Sequence, residues 1–130
     1  MGWSARLRGD PIQAAARVRD SLVLFQQIGA QWGLADSLEG AAGLLCDARH
    51  FEPAAQLLGT ASAVRDAGRI HGGDHRALRL ANDVKVMRSY LGEAVFEAAW
   101  EAGRAIEVSQ AVSVALATLA TAWPAPASPA

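Results

Sequence analysis

Along nearly all of this chain, apolar residues recur at steps of three and four. They do so in six segments, joined by connections of two to four residues apart from one Gly-rich link at 69–74. That period places one apolar stripe on each segment when it is wound as an α-helix. Short connections make consecutive helices antiparallel neighbours. No alternating apolar/polar run of useful length competes, so a sheet is excluded as the frame.

The first segment covers about 12–28, with Ala15, Val18, Leu22 and Phe25 on one face. Pro11 suits a first helical turn after an Asp10 cap, and Gly29 suits the stop. The second, about 31–48, aligns Ala35, Leu38, Ala42 and Leu45. The third, about 52–67, aligns Ala54, Leu58, Ala61 and Val64 before Gly68. The fourth, about 75–91, aligns Leu80, Val84, Met87 and Leu91. The fifth ends near Gly103, and the sixth covers about 108–122 with Val108, Val112, Ala115 and Leu119.

The 130 residues give room for one domain, and a hydrophobic fraction of 52% against 19% charged excludes a disordered chain. Alanine, with 29 residues, drives that fraction, so the core is expected to be made of close helix contacts. A formal net charge of −1 argues against a general nucleic-acid binder, which needs a cationic footprint. Cys46 is the single cysteine, which excludes an intrachain disulfide and a multi-cysteine zinc site. No run of 18 apolar residues is present, and the first ten residues lack the apolar core of a signal peptide. No membrane partner and a cytoplasmic location are the resulting expectations.

A repeat runs through the first half. Ala15, Leu22, Phe25 and Gly29 correspond to Ala54, Ala61, Val64 and Gly68 at an offset of 39 residues. A period of that length, made of two helices, is the mark of a helical solenoid. The expected organisation is a remnant of a truncated repeat helix at 1–10, since ARLRGD reads as the second half of a helix. A helical-repeat domain with C-terminal capping helices follows at 11–122, then a disordered Pro/Ala/Ser tail at 123–130.

Leu38, Ala41, Ala42, Leu45, Phe51, Ala54, Leu58 and Ala61 resemble the tetratricopeptide pattern, with Asp66 standing where that repeat usually carries proline. The runs ADSLEGAAGLL, PAAQLLGTASAVRDAG and YLGEAVFEAAWEAGRAIEVSQAVSVAL follow in that order after AAARVRDSLVLFQQIG. Together they are similar to the C-terminal helical-repeat region of LuxR-type and related multidomain ATPase transcriptional regulators of bacteria. The resemblance implies a tetratricopeptide-like superhelix of about six helices that serves as a sensor or protein-contact arm. It does not bring ATP hydrolysis or specific DNA binding, because the chain has no G-x-x-x-x-G-K-[ST] phosphate loop and no basic recognition helix after the repeats.

Three groups of residues invite a chemical reading. Glu93, Glu97 and Glu101 share one helix stripe beside Phe96 and Trp100. A carboxylate site in a bundle needs inward-facing partners, usually His, and no Glu-x-x-His occurs. The carboxylates therefore read as solvated and the aromatic pair as packed. His71-Gly72-Gly73-Asp74-His75 reads as a flexible loop with Asp74 capping the next helix, the alternative being a metal or pH-sensitive loop. Cys46 reads as a structural thiol, with no histidine near in sequence to activate it. His50 is expected at an exposed turn. Arg69, Arg76, Arg79, Lys85 and Arg88 read as a solvated face or as partners of the acidic fifth helix. Gly40, Gly43 and Gly59, inside helices, are expected where two helix backbones approach closely.

The functional expectation is a non-enzymatic protein-interaction or regulatory module, with no catalytic, cofactor or metal residues. The alternative is a small-ligand sensor binding a metabolite between helices. The partner would be a protein, or upstream domains of the same regulator. An open N-terminal end, with Trp3, Leu7, Val18 and Phe25 as the candidate surface, would also support homo-oligomers.

Overall fold

The computed structural model describes residues 11–68 and 74–123, with 74–76 in backbone only. Among the described residues there are six α-helices: α1 Pro11–Ile28, α2 Gln31–Asp47, α3 Phe51–Gly68, α4 Asp74–Leu91, α5 Glu93–Ala105 and α6 Val108–Ala122. No strand occurs among the described residues. The chain is all-α, and the helix limits fall close to those the three/four period predicts. The expectations for 1–10 and 124–130 lie outside the described residues.

The helix stops follow from backbone chemistry. Gly29 adopts φ +70° after α1, and its N–H donates to the Gln26 carbonyl at 3.4 Å while the Ala30 N–H donates to the Phe25 carbonyl at 3.0 Å. This is a Schellman closure, which needs a left-handed residue just past the helix. α2 closes in the same way with Arg49 (φ 66°) in the glycine's place: the Arg49 N–H meets the Cys46 carbonyl and the His50 N–H meets the Leu45 carbonyl. α4 and α5 are separated by Gly92 alone, at φ +84°.

α2 and α3 form the centre. Twelve of the 17 residues of α2 are buried, because α1, α3, α4 and α6 all lie against it. α3 touches α2, α4, α5 and α6. Ala35, Ala41, Ala42, Ala54, Ala55 and Ala61 are wholly buried on this pair, so the seams are alanine-lined as expected. Leu22, Leu38, Leu44, Leu45, Met87 and Leu119 are among the largest fully buried side chains of the core. Each such side chain contributes about 1.5–3 kcal/mol by leaving water.

α6 departs from a linear stack. The chain leaves α5 through Ile106 and Glu107 in extended backbone, then lays Ala111, Val112, Ala115 and Leu119 across α1, α2 and α3 rather than along α5. The last helix thus packs against the side of the bundle and reaches back to the first. The apolar stripe was legible in sequence, but its seat was not.

α3 and α5 cross at backbone contact. A Cβ at Gly59 would strike the Trp100 carbonyl, and a Cβ at Gly103 would strike the Gln56 carbonyl. Gly59 therefore fulfils the expectation of close approach. Gly103, which the sequence marks only as a helix end, lies inside α5 and is the reciprocal half of the same crossing. The buried Thr60 hydroxyl donates to the Gly103 carbonyl at 2.7 Å, near a helix end whose carbonyls lack intrahelical donors. Gly40 differs: a Cβ there would meet only Val18 Cγ2 at 3.5 Å, an ordinary contact.

Candidate interaction surface

Three large apolar side chains are exposed where α1 passes into α2. Leu24 and Ile28, one turn apart on α1, are 51% and 63% exposed, and Trp32 in the first turn of α2 is 61% exposed. The two-residue link at Gly29 and Ala30 holds these two helix ends together. Phe25 is half-buried, with its ring against Gly33 and 5.1 Å from the Trp32 ring. Gly33 has no side chain, which is what lets the Phe25 ring sit down on α2.

The candidate surface residues are therefore distributed differently from expectation. Val18 is buried against α2 at Gly40 and offers nothing to a partner, because it lies on the core stripe with Ala14, Ala15 and Leu22. Phe25 is half-buried against Gly33 and Trp32. Trp3 and Leu7 lie outside the described residues. Leu24, Ile28 and Trp32 were not singled out in sequence. The signal for the α1 pair was there: apolar residues at i and i+4 that fall off the stripe defined by Ala15, Val18, Leu22 and Phe25.

The other groups sort by burial. Glu93, Glu97 and Glu101 are exposed, Phe96 is buried and Trp100 half-buried, with the two rings 5.9 Å apart. Arg88 reaches from α4 to α5: its Nε is 3.4 Å from Glu93 Oε1 and its guanidinium stands 4.8 Å over the Phe96 ring. Beside them a cleft of about 330 Å³ opens between α4 and α5, lined by Val84, Arg88, Phe96, Glu97, Trp100 and Glu101. Cys46 is buried, its Sγ 4.0 Å from the Asp83 backbone carbonyl. His50 is exposed at its turn. His71, Gly72, Gly73 and the side chains of Asp74 and His75 lie outside the described residues, as do Arg69 and the side chain of Arg76.

One buried polar pair escaped the sequence reading. The Arg65 guanidinium on α3 donates from Nε to Glu39 Oε2 at 2.7 Å and from Nη2 to Oε1 at 3.0 Å, both side chains being nearly inaccessible. Each partner interrupts its helix's apolar stripe, Glu39 beside Ala35 and Ala42, Arg65 one turn after Ala61. A charge on a core stripe is the mark that could have found them. The pair ties α2 to α3.

Among the described residues no three His, Cys, Asp or Glu side chains gather as a metal would require, and no helix is long and apolar enough to cross a membrane. The fold and surface thus define an all-α, six-helix domain whose most distinctive exposed feature is apolar. The chain matches no family model, no curated protein and no solved structure.

Proposed function

We propose that this chain is a non-enzymatic protein-interaction module, belonging to or derived from a bacterial transcriptional regulator of the LuxR type, and that it associates with a second copy of itself through the α1–α2 end. The observation that carries the contact function is the exposure of Leu24, Ile28 and Trp32 on either side of the α1–α2 link. Single exposed apolar residues are ordinary, but three large ones over a rigid support mark a surface that gains by being covered. Phe25, fixed between Gly33 and Trp32, supplies that support. A pre-formed, aromatic-backed face loses little side-chain freedom on association. The regulator origin is supported by the order of the quoted sequence runs.

A dilution series followed by amide NMR tests the contact. Resonances of Leu24, Ile28 and Trp32 are expected to move with protein concentration while those of α4 stay fixed. Shifts confined to other helices, or none at all, would count against the proposal.

A further inference from the structure

On α5 one arrangement occurs twice, a turn apart: Glu93 followed three residues later by Phe96, then Glu97 followed three residues later by Trp100. At the first, the chain supplies its own cation. The Arg88 guanidinium lies over the Phe96 ring and beside the Glu93 carboxylate. At the second, no cation of the described residues stands over the Trp100 ring. Glu97 and Glu101 have no ion-pair partner among them either. The next basic residue on α5, Arg104, is engaged with Ser62 and Asp66 on α3. The α4–α5 cleft opens at this second position.

The geometry points to that position as a seat for an arginine side chain carried by a partner protein. Tryptophan is the best aromatic face for a cation, and a planar guanidinium can stack on it while its edge pairs with a carboxylate. Two uncompensated carboxylates, one turn apart, complement one stacked arginine and a basic neighbour. Arg88, already engaged with Glu93, does not repel the newcomer from an unneutralised position. The half-buried Trp100 and the flank of Val84 give the aliphatic stem of the side chain an apolar path. At about 330 Å³ the cleft is at the small end of ligand sites, sized for a side chain. This seat is separate from the α1–α2 surface and does not rest on self-association.

The test titrates the full chain with a capped tetra-arginine peptide and follows the Trp100 indole N–H by NMR. Saturable binding that shifts this resonance is expected. The surface double variant Glu97→Gln/Glu101→Gln, with helicity unchanged, is expected to bind at least about tenfold more weakly, while Glu107→Gln, an exposed carboxylate elsewhere, binds as the parent does. Trp100→Phe retains weakened binding. An unmoved Trp100 resonance, or undiminished affinity in the double variant, overturns the inference. Equal affinity for a capped single arginine overturns the protein-borne source, and equal affinity for tetra-lysine overturns the choice of guanidinium.

Discussion

Gly59 and Gly103 are two halves of one contact: each lies where the other helix presents a carbonyl, Trp100 to Gly59 and Gln56 to Gly103, so that α3 and α5 meet backbone to backbone. The reciprocity fixes both the register and the depth of the crossing. Gly59→Ala or Gly103→Ala puts a methyl group into a peptide oxygen that cannot rotate away. Each is expected to cost about 2–3 kcal/mol, read by urea unfolding. Gly40→Ala is the contrasting case. Its methyl group fits beside Val18 Cγ2, and relief of glycine's helix penalty should stabilise the chain by about 0.5–1 kcal/mol.

The buried Glu39–Arg65 fork makes a second prediction. Removing one partner leaves a charge without water or counter-charge, so Glu39→Ala should cost about 3–5 kcal/mol. Replacing both, as Glu39→Leu/Arg65→Met, should cost less than Glu39→Ala, since it leaves no buried guanidinium without its carboxylate. The double-mutant cycle by thermal or chemical unfolding reads the difference directly.

Thr60 supplies a third. Its hydroxyl, buried between α3 and α5, donates to the Gly103 carbonyl at 2.7 Å. Thr60→Val keeps the shape and removes the donor, leaving that carbonyl dry. A loss of about 1–3 kcal/mol is expected. Thr118→Val is the exposed comparison: that hydroxyl donates to the Val114 carbonyl within its own helix at 2.7 Å, and the change should be nearly neutral.

Arg49 allows a fourth. It holds the left-handed position at the end of α2 that Gly29 holds at the end of α1. Arg49→Gly removes the steric cost of a Cβ there, about 1 kcal/mol, and loses only the contact of the guanidinium with the exposed Tyr90 ring at 5.5 Å. A small rise in melting temperature is the expected net result.

The helices were legible because their causes are local. The three/four period, the glycines at 29 and 92 and proline at 11 act within a few residues, and they set the element limits. Which stripe meets which was not legible to the same degree. Val112, Ala115 and Leu119 announce an apolar face on α6, but nothing in their spacing says that the seat is α1–α3 rather than α5. The same limit explains Gly103. A glycine near a helix end reads as a stop, and only the carbonyl of Gln56, 47 positions earlier, reveals it as a crossing point. On the surface, Val18 and Phe25 read as candidates because they share the apolar stripe of the first helix. Burial of Val18 depends on α2 lying over it, a tertiary fact that one helix's period does not carry.

Sedimentation equilibrium of the whole chain beside its Leu24→Glu/Ile28→Glu variant tests the interaction surface most directly. Both residues are exposed, so the variant should keep its helical content while losing association. The parent is expected to form a concentration-dependent dimer at micromolar protein and the variant to stay monomeric. A parent that stays monomeric, or a variant that dimerises as the parent does, would contradict it.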